Sequence, residues 1–139
     1  MNCVNNYSYF LNNHAYSDAL VQLALKDVQK SGLSPETLER AQVRLFRGDS
    51  DLLKKRLGFA SINGHSILKT CRLIEFPNFG EDEKVVSYSY KLIPSLFGKD
   101  GKEIKYLFTK DKPSIPYIPL ETWSIKDKAN RPLWIAEGQ

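Results

Sequence analysis

The sequence predicts an α+β fold, with about three N-terminal helices packed on a mixed or antiparallel sheet of four to five strands. Up to residue 58, apolar residues recur at helical spacing between capping residues and glycines. Beyond residue 60 they alternate with polar residues, as in half-buried strands. Asp100-Gly101 then separates two alternating runs, which is a hairpin signal.

Taken in order, Ser17 or Asp18 can cap a helix whose apolar positions include Leu20, Leu23, Ala24 and Val28. Ser31-Gly32 ends it, because glycine tolerates the left-handed conformation past a helix C-terminus. Ser34-Pro35-Glu36 opens a second helix: serine caps, proline suits the first helical position, and the glutamate meets the positive end of the dipole. Leu38, Ala41 and Leu45 are its expected inward residues. A third helix runs from about Asp51 to Leu57 and closes on Gly58. Its Lys54-Lys55-Arg56 run reads as a solvated face.

Among the strands, Cys71 to Phe76 is expected to end at Pro77. Val85 to Ile93 should put Val86, Tyr88, Tyr90 and Leu92 on one face and Ser87, Ser89 and Lys91 on the other. Glu103 to Thr109 sets Ile104, Tyr106 and Phe108 against Glu103, Lys105 and Leu107. Pro113, Pro116 and Pro119 mark an extended surface segment rather than a central strand. Pro132-Leu133-Trp134-Ile135-Ala136 reads as a buried strand, and the chain stops at Glu137-Gly138-Gln139, as if cut from a longer protein. The expected organisation is one domain over 1–139, with a helical part (1–58), a sheet part (60–131) and a truncated final strand (132–139).

With 139 residues, 42% apolar and 26% charged, the composition is that of a globular domain able to bury a core. No run approaches the ~18 apolar residues of a membrane span. The segment Met1 to Leu11 lacks the basic-then-apolar order of a signal peptide, so a cytoplasmic location without membrane partners is expected. The net charge of +4 and pI near 9.0 suit a polyanionic partner without requiring one. Cys3, Cys71, His14 and His65 lack the paired spacing of a structural zinc site, so no metal is expected on them.

Several short strings share an order with known proteins. Ser31-Gly32-Leu33-Ser34-Pro35-Glu36-Thr37 resembles the helix entry of the polymerase domain of bacterial-type primases. Arg72 to Pro77 is similar to their arginine-led strand ending in Phe-Pro, and Lys105-Tyr106-Leu107 to their Lys-Tyr-Leu motif. Ser89-Tyr90-Lys91-Leu92 falls at their glycine-rich strand, with lysine where arginine is usual and Ser87, Tyr88, Ser89 and Tyr90 in place of the glycines. Leu120-Glu121 sits near their aromatic-rich connector. Trp134 to Gly138 resembles the first strand of a Toprim domain, whose signature delivers Glu-Gly. The nearest group is the primase-like replication proteins of plasmids and phages, in particular an uncharacterised domain family that precedes a Toprim-like segment.

That resemblance implies a division of labour. Glu137 would be the first carboxylate of a Toprim site, in which a glutamate and an Asp-x-Asp pair hold Mg²⁺. The pair would lie beyond Gln139, so Mg²⁺ is expected only with the downstream segment and this chain alone is expected to be catalytically silent. What remains is a template-side module binding single-stranded DNA, or an RNA/DNA template, weakly and non-specifically. Lys91 and Lys105 are the first candidates for phosphate contact, both expected to point to solvent; Arg72, Lys110 and Lys112 come next. Tyr88, Tyr90, Tyr106 and Phe108 read as sheet core rather than as a stacking platform. Two further expectations stand beside this one: an interaction or scaffolding module docking through Pro113–Pro119, and a nuclease or nucleotidyltransferase part completed by another chain.

Overall fold

The structure, a computed structural model, describes residues 6–112. The order of elements is α1 (Ser8–Leu11), α2 (Ala19–Lys30), α3 (Pro35–Arg40), β1 (Arg44–Leu45), α4 (Ser50–Leu57), β2 (Ser61–Ile62), β3 (His65–Ser66), α5 (Ile67–Thr70), β4 (Arg72–Phe79), β5 (Val85–Phe97) and β6 (Glu103–Phe108). The main sheet has four antiparallel strands in the order β1-β4-β5-β6, and β2 and β3 form a separate hairpin. This is the α+β architecture that the periodicities imply.

The three expected helices form, the first two with the expected caps and the third with a cap at Asp49 that was not anticipated. Asp18 caps α2 by accepting from Leu20 N at 2.8 Å, Ser34 caps α3 through Thr37 N, and Asp49 caps α4 through Leu52 N. Gly58 closes α4 with φ +90°, a conformation that a side chain would strain. Val21, Ala24, Leu25 and Val28 form the buried stripe of α2.

The sheet is covered on both faces. On one, α2 packs over β4 and β5, and Val21, Leu25, Val28, Leu38, Ile74 and Ile93 share a cluster with Phe10 of α1. On the other, Leu53 and Leu57 of α4 and Ile67 of α5 join Leu73, Tyr90, Leu92 and Leu107.

Four expectations are corrected. Leu45 belongs to β1, not to the second helix: α3 ends at Arg40, and Gln42 takes a left-handed φ of +58° before the chain turns into the sheet edge. The strand β4 does not stop at Pro77 but continues to Phe79. Phe46 N donates to Leu73 O, so the odd-numbered residues of β4 turn their backbone groups toward β1. Because β1 reaches only Ile74 and Glu75, the missing N–H of Pro77 falls on open edge. The strand β5 runs on through a cis Ile93–Pro94 bond to Phe97, beyond the expected end at Ile93. Finally, α1, α5 and the β2–β3 hairpin were not anticipated.

Candidate nucleic-acid interface

Two of the basic candidates are held by carboxylates. The guanidinium of Arg72, which opens β4, donates from Nε (3.1 Å) and Nη2 (2.6 Å) to Asp18 Oδ2, and from Nη1 to the carbonyls of Leu68 and Cys71. Burial pushes the Asp18 carboxyl up, but the hydrogen bonds and charge of Arg72, with the amides of Leu20 and Val21, outweigh it and hold the group below its ordinary range. Asp18 is therefore both helix cap and counter-ion. Arg72 ties the N-terminus of α2 to the sheet.

Lys91 does the same one strand over. Its Nζ lies 2.8 Å from Asp27 Oδ2 on α2, and the two side chains keep only 25% and 31% of their exposure. Lys91 was expected to face solvent. It does not, because its face of the sheet is covered by α2 rather than open. Lys105 does reach solvent, 3.9 Å from Glu103 on the same strand, but points from the opposite face to Lys91. Lys110 and Lys112 are exposed and follow β6 directly. Lys110 N donates to Arg56 O, which brings the strand exit against the end of α4. The five basic residues are therefore not gathered into one patch. Lys91 flanks β6, Lys110 and Lys112 extend it, and Arg72 and Lys105 lie elsewhere. Glu137, the Pro113–Pro119 segment, Trp134, the Leu120-Glu121 string and Cys3 lie outside the described residues.

The aromatics divide where the sequence grouped them. Tyr90 is buried in the core and Tyr88 is partly buried against it, the two rings stacked 6.1 Å apart. Tyr106 and Phe108 instead remain 45% and 66% exposed. The physical reason is register. Tyr106 pairs with Lys91 and Phe108 with Ser89, so both rings stand on the α2 face, while Leu107 pairs with Tyr90 and takes the buried side. The expectation that Tyr106 and Phe108 belong to the core is thus corrected. Beside them, Asn78 Nδ2 donates to Ser87 Oγ (3.1 Å) and Ser89 Oγ (3.2 Å), giving this half of the face a polar floor. Residues two apart on a strand are separated by about 7 Å, so the two rings can each meet a different flat group.

The most constrained charge was missed. Arg56, assigned to a solvated basic run, turns inward: its Nη1 donates to Glu75 Oε1 (2.7 Å) and to the Tyr90 hydroxyl (2.8 Å), which itself donates to Glu75 Oε1 (3.1 Å). The guanidinium carbon sits 4.7 Å from the Tyr88 ring centroid and 5.6 Å from that of Phe46. Burial, reinforced by the neighbouring Glu75 charge, raises the Tyr90 hydroxyl well above the ordinary tyrosine range. Helical phase was the available signal, since Arg56 lies four residues after Leu52 and three after Leu53, on the side that packs.

His14 and Cys71 are likewise occupied within the fold. His14 Nε2 lies 2.8 Å from Phe46 O, and the buried Cys71 thiol donates to Pro94 O at 3.1 Å. No group of three or more His, Cys, Asp or Glu side chains among the described residues could hold a metal ion, and no helix among them is long and apolar enough to cross a membrane. No family model, curated protein or solved structure matches this chain.

Proposed function

We propose that this chain is a single-stranded nucleic-acid-binding module of a primase-like replication protein, catalytically incomplete alone, and that it binds across the open half of the sheet. The observation that carries the reading is the pair Tyr106 and Phe108, exposed at alternate positions of β6 beside the polar side chains of β5. Such rings offer π-faces on which bases stack without regard to sequence. Lys91 next to Tyr106 supplies a cation beside the rings for a backbone phosphate, and the exposed Lys112 follows the end of the strand, while Lys110 lies against Gly58 at the end of α4. The Mg²⁺ chemistry suggested by Glu137 belongs, in this reading, to a downstream segment.

Titration with a labelled oligothymidylate, followed by fluorescence anisotropy, tests the reading. Binding should be saturable at low salt and fall with salt at a slope of about −0.7 per phosphate contacted. Replacing Tyr106 and Phe108 together by alanine should remove about 1–3 kcal/mol for each base stacked. An affinity unmoved by the double substitution, or no binding at 20 mM salt (about a 20 Å Debye length), would sink it.

The same exposed rings favour a second reading, a protein-interaction module with no nucleic-acid role, because solvent-facing aromatics in a cluster also mark protein interfaces. Salt-insensitive capture of a protein partner, lost on replacing Tyr106 and Phe108, would favour it.

A further inference from the structure

We infer that Asp27 acts as an internal competitor for the ligand's phosphate, holding Lys91 on α2 and weakening the site until the ion pair opens. The inference rests on the nucleic-acid reading above. Lys91 is the one basic candidate directly opposite a ring of the platform, in register with Tyr106. Its ammonium is already paired at 2.8 Å with Asp27 Oδ2. A phosphate reaching Lys91 meets an ammonium whose charge Asp27 already offsets, and the carboxylate beside it repels the same phosphate. Among the described residues the Asp27 carboxylate has no second hydrogen-bond partner: its carbonyl, not its carboxylate, accepts from Ser31 N and Oγ at the end of α2. With both side chains a quarter to a third exposed, the pair is weak enough to open without disturbing the fold.

The contrast with Arg72 sharpens the assignment. The Asp18 side chain caps α2, and the Arg72 guanidinium spans two further carbonyls, so that pair is built into the fold. Among the described residues the Asp27–Lys91 pair has no such ties.

The experiment is a double-mutant cycle on the full chain, measured as affinity for the same oligothymidylate at several salt concentrations. Asp27→Asn should tighten binding roughly two- to fivefold, the strength of a partly exposed pair. It should also steepen the salt slope by about 0.7, one added phosphate contact. Lys91→Ala should weaken binding, because it leaves Asp27 unpaired beside the platform. The double variant should recover part of that loss without exceeding the parent chain. Unchanged or weakened binding in Asp27→Asn overturns the inference, provided the parent binds and the Tyr106/Phe108 variant binds more weakly. If the parent itself fails to bind, the underlying reading falls. Circular dichroism on each variant separates both outcomes from unfolding.

Discussion

Arg56 Nη1 stands 2.7 Å from Glu75 Oε1, joining the last turn of α4 to the second face of the sheet, with the Tyr90 hydroxyl bonded to both. The triad closes on itself because each polar group finds its partner inside an apolar cluster. Removing one member leaves the others exposed to the cost of unpaired burial. Tyr90→Phe deletes one acceptor and one donor, both bonded to charged groups, and should cost about 2 kcal/mol. Arg56→Met strands the Glu75 carboxylate and should cost about 3 kcal/mol, the lower end for a buried pair because Arg56 keeps some exposure. The double variant Arg56→Met/Glu75→Gln should cost less than the sum of its singles. Urea unfolding of all four chains measures this, and strict additivity would show that the pair is not coupled.

The Asp18–Arg72 pair should appear in the pH dependence of stability. The folded state holds the Asp18 carboxyl below its ordinary range, so the unfolded chain takes up the proton first as pH falls. The contribution is therefore complete above the unfolded carboxylate pKa of about 3.9 and is lost as pH drops through the folded value. Asp18→Asn preserves a capping oxygen and removes only the charge. The stability gap between the parent and Asp18→Asn should be flat from pH 5 to 7 and shrink below about pH 4. A gap that instead widens in acid would contradict the assignment.

Much of this fold was legible because local chemistry and tertiary packing agree. Asp18, Ser34, Pro35 and Gly58 each do in the structure what their type does in isolation. Asp100-Gly101 likewise turns as expected, with Gly101 at φ +78° and Lys102 N bonded to Asp100 Oδ1. Asn63-Gly64, with φ of +51° and +81°, carries an equally direct hairpin signal between β2 and β3, but its flanking strands are too short to show alternation. What could not be read is which face of an alternating strand is covered. Val85 to Ile93 alternates cleanly, yet both faces are buried along part of its length, so Lys91 is paired rather than solvated. The strand β6 shows the converse. Its aromatics look like core, but pairing with β5 gives the buried side to Leu107, with Ile104 packed partly against the same cluster beyond the register shift. Register is a non-local property, and one residue's slip exchanges the faces. For the same reason the candidate site was legible as residues, not as a surface.

Cys71 should behave as an inert thiol. Burial raises it, with the Thr70 hydrogen bond and the Arg72 charge only partly opposing, and the sulfur is fully enclosed. The thiolate that reacts is therefore scarce and unreachable until the structure opens. In a Cys3→Ser chain at pH 8, labelling by a thiol reagent should be at least on the order of a hundredfold slower than in denaturant. It should quicken in Tyr90→Phe, since the looser core opens more often. Fast labelling of the native chain would mean that Cys71 is not enclosed.

Gly48 tests the packing between α4 and the sheet most sharply. A Cβ there would stand 2.6 Å from Phe46 Cζ and 2.9 Å from Leu52 Cδ2, closer than real contacts allow. No left-handed φ is involved, so the penalty is steric rather than conformational. The Phe46 ring is 4% exposed and meets Tyr90 edge-on at 5.8 Å, with the Arg56 guanidinium 5.6 Å from its centroid. It cannot retreat without moving the triad. Gly48→Ala should therefore destabilise by about 1–3 kcal/mol from overpacking, offset in part by 0.4–1 kcal/mol from a stiffer unfolded chain. Phe46→Leu shortens the obstructing ring, so in the Gly48→Ala background it should cost clearly less than in the parent. Gly32→Ala is the contrasting control. Its Cβ meets nothing within 4 Å but its φ is +76°, so it should lose about 1 kcal/mol through the backbone alone, with no coupling to Phe46. Equal costs of Phe46→Leu in the Gly48→Ala and parent chains would show that the ring is not what Gly48 accommodates.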